Sequence, residues 1–288
     1  MNPNRRPDRA AFRRFGLMAV ALLPLLAGCG GSKDDEAKTN APPPSVDALY
    51  NNGIDALNSG RYDTAADQFQ SLEQNYPYST WSVKAQLMQG YTQYKQNHYT
   101  DAIGTLNRYI QLHPAGGDVA YAYYLRALCY YEQISDVQRD QQDTREAMAA
   151  LQEVINRFPG TAYARDAQLK IDLCRDHLAG KEMAVGRWYQ EQHLYEAAIG
   201  RFQTVLNDYQ TTNHVAEALA RLTEIYLVLG LPDEAKRTAA VLGYNYPGSI
   251  WYEDIYRQLA RDHLLAKGAP VPSGGGGGFF SHAFDWIF

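Results

Sequence analysis

The side chain best placed for chemistry by type and spacing is Cys29. It closes the tetrapeptide Leu26-Ala27-Gly28-Cys29, an apolar residue, two small residues and a thiol. Small residues let an extended backbone enter a peptidase cleft, and the thiol is the only side chain there able to form a thioether to a diacylglyceryl group. The tetrapeptide resembles the lipobox of exported lipoproteins. Before it lie a head with Arg5, Arg6, Arg9, Arg13 and Arg14 and then Phe15–Leu26, 12 residues without a charge. That run is shorter than the ~20 apolar residues a membrane-spanning helix needs, and it matches the charged and apolar regions of a secretory signal. The expectation is cleavage before Cys29 and covalent lipid (N-acyl, S-diacylglycerol) on it; the alternative is an ordinary cleavable signal with a chance cysteine. Several acyl chains on one residue exceed the marginal hold of a single chain. Gly30 and Gly31 follow, with no Asp at the second mature position, which favours the outer membrane over the inner one.

Nothing else in the chain has the spacing of a reactive or metal-ligating site. There is no HExxH, GxSxG, phosphate loop or dinucleotide fingerprint. The seven histidines (98, 113, 177, 193, 214, 263 and 282) are scattered, with no two at i, i+4 on a helical pattern. Acidic residues are spread over helix surfaces, and the glycine run 274–278 lacks the strand–helix context of a phosphate loop. No catalytic residue and no metal ligand is therefore expected, and the chain reads as no enzyme. Removing residues 1–28 takes away five Arg and one Asp, a net +4, so the charge falls from −5 to −9 with His neutral. That excludes nucleic acid, whose binding needs a basic stripe. Cys129 and Cys174 lie in helical patterns without a CxxC partner and read as buried free thiols rather than a disulfide.

The elements that would position any partner come from an internal repeat. Three phrases recur: Asn75-Tyr76-Pro77-Tyr78-Ser79-Thr80-Trp81, Arg157-Phe158-Pro159-Gly160-Thr161-Ala162-Tyr163 and Asn245-Tyr246-Pro247-Gly248-Ser249-Ile250-Trp251. In each, proline stops one helix and the hydroxyl two positions later caps the next. Small residues recur inside the helical stretches between. Gly53, Ala65 and Phe69 form one unit closed by Pro77, and Gly90, Ala102, Leu106 and Pro114 a second. Ala147, Leu151, Val154 and Pro159 form a third, Gly186, Ala198, Phe202 and Val205 a fourth, and Tyr226, Ala235, Leu242 and Pro247 a fifth. This is tetratricopeptide spacing, in which small residues let paired helices pack closely. The fold class is thus all-α, a superhelical array of five tetratricopeptide repeats in two segments, repeats 1–3 and 4–5. Two departures are informative. Ser135–Thr144 is an insert between the helices of the third pair. Thr161–Leu178 is an additional amphipathic stretch expected to run into the next helix and to break or bend near Gly180.

In such arrays the first helices of the pairs line one concave surface. The register puts Tyr50 and Ile54 there in repeat 1, Leu87, Tyr91, Tyr94 and Lys95 in repeat 2, and Tyr121, Tyr124, Leu128 and Tyr131 in repeat 3. An aromatic groove with few charges suits an extended apolar peptide, whose carbonyls the phenol hydroxyls can bond. Each of these tyrosines can equally be core between repeats.

An exported lipoprotein with five tetratricopeptide repeats, an insert in the third and a long helix before the fourth resembles the BamD family of the outer-membrane β-barrel assembly machine. Tyr121–Ala127, Asp140–Ala150 and Leu169–Leu206 carry the resemblance most specifically. It implies a non-enzymatic scaffold on the periplasmic face of the outer membrane. The C-terminal half would meet the POTRA region of BamA, alongside other lipoproteins of the complex, and the N-terminal groove would take the C-terminal segments of unfolded outer-membrane proteins. It implies a role for Arg201, on the fourth repeat, in pairing with a carboxylate of the last POTRA domain; the alternative is an exposed arginine without a role. The resulting division is 1–28 signal peptide, 29–45 lipidated N-terminus and tether, 46–160 repeats 1–3, 161–267 long helix and repeats 4–5, and 268–288 Gly-rich linker and aromatic tail. In the tail Phe284, Trp286 and Phe288 alternate like a barrel targeting strand, while Phe280, Phe284 and Ile287 share a helical face; either form would touch a partner or a membrane. A second reading keeps the fold and makes the chain a secretin pilotin or a cell-wall enzyme adaptor.

Overall fold

Helix starts and stops follow from the proline–hydroxyl phrases. The Ser79 hydroxyl accepts from the Trp81 amide at 3.2 Å, Thr161 from Ala164 at 3.1 Å and Ser249 from Tyr252 at 3.1 Å. The residues before the prolines, Tyr76, Phe158 and Tyr246, end the preceding helices with φ near −130° and ψ near +50°, outside the α region that a following proline disfavours. A computed structural model describes residues 44–265 and Pro272. It holds eleven helices among those residues and no strand. They are α1 (Val46–Asn58), α2 (Tyr62–Asn75), α3 (Thr80–Lys95), α4 (Tyr99–Leu112), α5 (Val119–Tyr131), α6 (Gln142–Arg157), α7 (Ala162–Glu191), α8 (Tyr195–Asp208), α9 (Val215–Val228), α10 (Pro232–Asn245) and α11 (Ile250–Arg261). Cys29 and the tail residues Phe284, Trp286 and Phe288 lie outside the described residues. No helix among the described residues is long and apolar enough to cross a membrane.

The helices pair as tetratricopeptide hairpins. Four of the turns use the same device, a residue in the left-handed region just after the first helix: Gly60, Asn97, His193 and Gly230, all with φ between 60° and 71°. Pairing is close because one helix presents hydrogen where the other presents a large side chain. A Cβ added to Gly53 would lie 2.6 Å from the Phe69 ring, one on Gly90 2.9 Å from Leu106, and one on Gly186 2.5 Å from the Phe202 ring. In the fifth pair the expected contact residue is displaced. Tyr226 is only half-buried, and the small residue twelve positions before Ala235 is Thr223, fully buried with its hydroxyl donating to the Leu219 carbonyl at 2.9 Å. A self-capped threonine can occupy a slot that a tyrosine ring overfills.

The buried side chains form three clusters. The first joins α1 and α2 to the start of α3, the second runs from α3 to the first half of α7, and the third from the second half of α7 to α11. The long helix α7 thus contributes Ala167, Ile171 and Cys174 to one core and Ala179 and Met183 to the next. The extra stretch runs into the next helix as expected, but it does not break at Gly180: its 30 residues form one helix. Glycine in a helix interior costs about 1 kcal/mol of propensity, but here a side chain would crowd its neighbours. A Cβ on Gly180 would come within 3.3 Å of the His214 ring and 3.7 Å of Val137.

Val137 belongs to the insert, whose bounds also shift. The connection spans 132–141 and α6 begins at Gln142, so Thr144 is helical and buried. The insert folds around the buried Gln141, whose amide donates to the carbonyls of Asp136, Val137 and Arg139 and whose oxygen accepts from Thr144. It docks on α7 through the His177 ring against the Ser135 carbonyl and the Lys181 ammonium donating to the Gln138 carbonyl, both at 2.9 Å.

Candidate peptide-binding face

The first helices of consecutive pairs, α1, α3, α5 and α7, pack on one another as well as on their own partners, and aromatic rings make those contacts. Tyr50 on α1 lies 4.7 Å from the Trp81 ring at the start of α3 and 6.0 Å from Phe69. On α3, Tyr91 and Tyr94 stack at 6.4 Å, and Tyr94 continues to Tyr99 at 5.9 Å. Between α5 and α7, Tyr163 stands 5.8 Å from Tyr121 and 5.2 Å from Tyr124. Tyr131 closes the row, with the Lys170 ammonium 5.1 Å from its ring centre. Each of the expected tyrosines, 50, 91, 94, 124 and 131, is half-buried against a core cluster. They are packing between repeats and accessible surface at once, which is the amphipathic role a phenol ring fills best.

The face is more charged than its composition suggests. The Tyr124 hydroxyl donates to Asp166 at 2.5 Å, and Lys170 pairs with the same carboxylate at 3.5 Å. The Tyr94 hydroxyl donates to Glu132 at 3.3 Å. Burial, and then Glu132, push the Tyr94 hydroxyl up to about 12. Burial and the Asp166 bond raise Tyr124 further, and burial beside other tyrosines raises Tyr121. All stay protonated donors at neutral pH. Tyr50, Tyr91, Tyr121 and Tyr131 make ring contacts but no hydrogen bond among the described residues, so no group of the chain engages their hydroxyls.

Sequence reasoning missed Trp81 and Tyr163, although the signal was in the repeated phrase. Its last residue is aromatic each time, two positions after the capping hydroxyl, on the first turn of a first helix. As Trp81 receives the Lys84 ammonium at 4.9 Å, the third such residue, Trp251, receives the Arg221 guanidinium, 5.4 Å from its ring. There the face changes character. Arg187 on α7 donates to both oxygens of Glu217 on α9 at 3.1 Å, and Arg221 pairs with Glu217 and Glu224.

Arg201 lies away from this face, on α8. Its guanidinium donates to Glu182 of α7 at 3.0 Å and keeps 44% of its side-chain surface exposed. The hydrogen bond it donates to Glu182, opposed by burial, raises its pKa further above the range where it could lose its proton. Cys129 and Cys174 are free and buried, with thiols pushed up by burial to about 12 and about 11; neither is a nucleophile at neutral pH. The cleft between the insert and α7 brings Asp136, Asp176, His177 and His214 together. His177 is committed to Ser135 and His214 lies 3.9 Å from Asp176. Among the described residues no group of three or more His, Cys, Asp or Glu is placed to hold a metal ion.

Residues 43–242 match the family model YfiO, described as an outer membrane lipoprotein. The chain is 48% identical to the outer membrane protein assembly factor BamD of Caulobacter vibrioides over 90% of this chain and 84% of that one. It is 47% identical to that of Rickettsia prowazekii, over 84% and 95% of the two chains. With the assembly factor BamD of Neisseria meningitidis serogroup A the identity is 34%, over 81% of this chain and 91% of the relative.

Proposed function

We infer the role of this chain from its family: it belongs to the YfiO family of outer membrane lipoproteins and, with its BamD relatives, is an outer membrane protein assembly factor. We propose that it acts without catalysis, as a scaffold between clients and the insertion machinery. Lipid on Cys29 holds it to the periplasmic face of the outer membrane. The face built by α1, α3 and α5 receives extended C-terminal segments of unfolded barrel proteins. The half from α7 to α11, with Arg201, meets the POTRA region of BamA, and other lipoproteins of the complex share that assembly. The tail residues Phe284, Trp286 and Phe288 contact a partner or the membrane. The observation that carries the client site is the row of half-buried rings from Tyr50 to Tyr131, several of whose hydroxyls no group of the chain engages. Rings give contact area at low entropic cost, and alternate side chains of a strand can seat between them.

A pull-down of the tagged protein from membranes in mild detergent tests the partner, and a photo-crosslinking residue in place of Tyr91 tests the client. BamA should co-purify, and the crosslinker should capture unfolded barrel proteins through their last residues. Recovery of a secretin in place of BamA would overturn the assembly reading in favour of a pilotin. The pilotin reading has no use for a 30-residue α7 carrying the partner of Arg201.

A further inference from the structure

Most carboxylates along α7 and α9 are ion-paired. Asp166 pairs with Lys170, Glu182 with Arg201, Glu217 with Arg187 and Arg221, and Glu224 with Arg221. Glu132, directly after α5, has no basic partner among the described residues. Its carboxylate is exposed and accepts one hydrogen bond, from the Tyr94 hydroxyl. Three features of its surroundings ask for a cation. Tyr91, Tyr94 and Tyr99 form a continuous run of rings beside it, with centroids 6.4 and 5.9 Å apart, and aromatic faces attract guanidinium and ammonium groups. Glu132 caps the C-terminus of α5, where the carbonyl ends of the helix concentrate partial negative charge. Its field reaches the neighbouring hydroxyls: after burial, Glu132 is the largest cause raising Tyr99, and it contributes at Tyr131. Two turns into α7 the face already shows a filled version of the same arrangement, with the Lys170 ammonium over the Tyr131 ring and paired to Asp166.

We propose that Glu132, with the rings of Tyr91, Tyr94 and Tyr99, seats the basic side chain of a bound client segment, preferentially an arginine standing among its aromatic residues. The planar guanidinium can stack on a ring while donating to both carboxylate oxygens, which an ammonium cannot do. The seat rests on the reading of this face as a client site and adds to it a selectivity that apolar contact alone does not supply.

The test uses the full chain purified from membranes in mild detergent and two short fluorescein-labelled peptides. Both carry alternating phenylalanines and end on phenylalanine; one has a central arginine and the other citrulline, its neutral isostere. Binding is followed by fluorescence anisotropy. The arginine peptide should bind about tenfold more tightly, and this ratio should collapse towards one in Glu132→Gln. The glutamine keeps an acceptor for the Tyr94 hydroxyl, so an unchanged melting temperature is expected and the citrulline peptide should bind the variant as it binds the parent. Equal binding of the two peptides to the parent, or an arginine preference that survives Glu132→Gln, would overturn the seat alone. Binding of neither peptide would overturn the client face together with the seat.

Discussion

Arg201 has a partner inside the molecule, and that decides how its role can be tested. Its bond to Glu182 ties α8 to α7, so a loss of function on changing it could reflect a weakened bridge or a lost contact outside the chain. The two separate through the other end of the pair. If the guanidinium serves an external carboxylate, Glu182→Gln frees it and BamA should co-purify at least as well as with the parent, whereas Arg201→Glu should remove most of it. If the bridge alone matters, both variants should lose BamA to a similar degree. Quantitative immunoblotting of the membrane pull-down reads the difference. Exposed ion pairs contribute little to stability, so neither variant should shift the melting temperature by more than about 2 °C.

At the level of elements, the glycines that allow close approach set the tolerances. Gly186→Ala would push a methyl against the fully buried Phe202 ring, and overpacking of this kind costs about 1–3 kcal/mol; a urea titration followed by circular dichroism should show the midpoint fall. The insert depends on one side chain. Gln141→Ala removes four hydrogen bonds around 136–144, and backbone amides of that segment should exchange faster with deuterium while those of α8 to α11 stay protected. Much of this layer was legible in the sequence, because a small residue twelve positions before another, then a large apolar one, leaves a clear trace in Gly53, Ala65 and Phe69. The continuity of α7 through Gly180, where a break was expected, was not legible. Propensity is a local quantity, and the packing of Gly180 against His214 and Val137 comes from residues 34 positions later and 43 earlier. Thr223 was missed for a related reason, since its buried hydroxyl is satisfied by its own helix. The tyrosine row was readable as a face, but its carboxylates were not: Glu132 and Asp166 join it only when α3, α5 and α7 stand side by side.

Across the whole of the described chain, burial is divided among three cores that neighbours share, and no helix of α1 to α3 contributes to the last of them. In stacked repeats stability is a sum of local and nearest-neighbour contributions. Phe69→Ala, which empties a fully buried site and costs about 3–5 kcal/mol, should therefore raise hydrogen exchange in α1 to α3 and leave α9 to α11 unchanged. Uniform loss of protection would show instead that the array unfolds as one unit. The first-helix face carries a division of its own, aromatic from Tyr50 to Tyr163 and ion-paired from Arg187 to Glu224.

The unbroken α7 gives that division a metric. An α-helix of 30 residues is about 45 Å long, and it cannot flex sharply at its centre without giving up hydrogen bonds that the surrounding packing protects. It therefore works as a gauge block. If a client segment lodges beside Tyr124 and a subunit grips Arg201, as proposed, the two are kept at a set offset whatever the client, fixed by the length of one helix rather than by diffusion of a hinge.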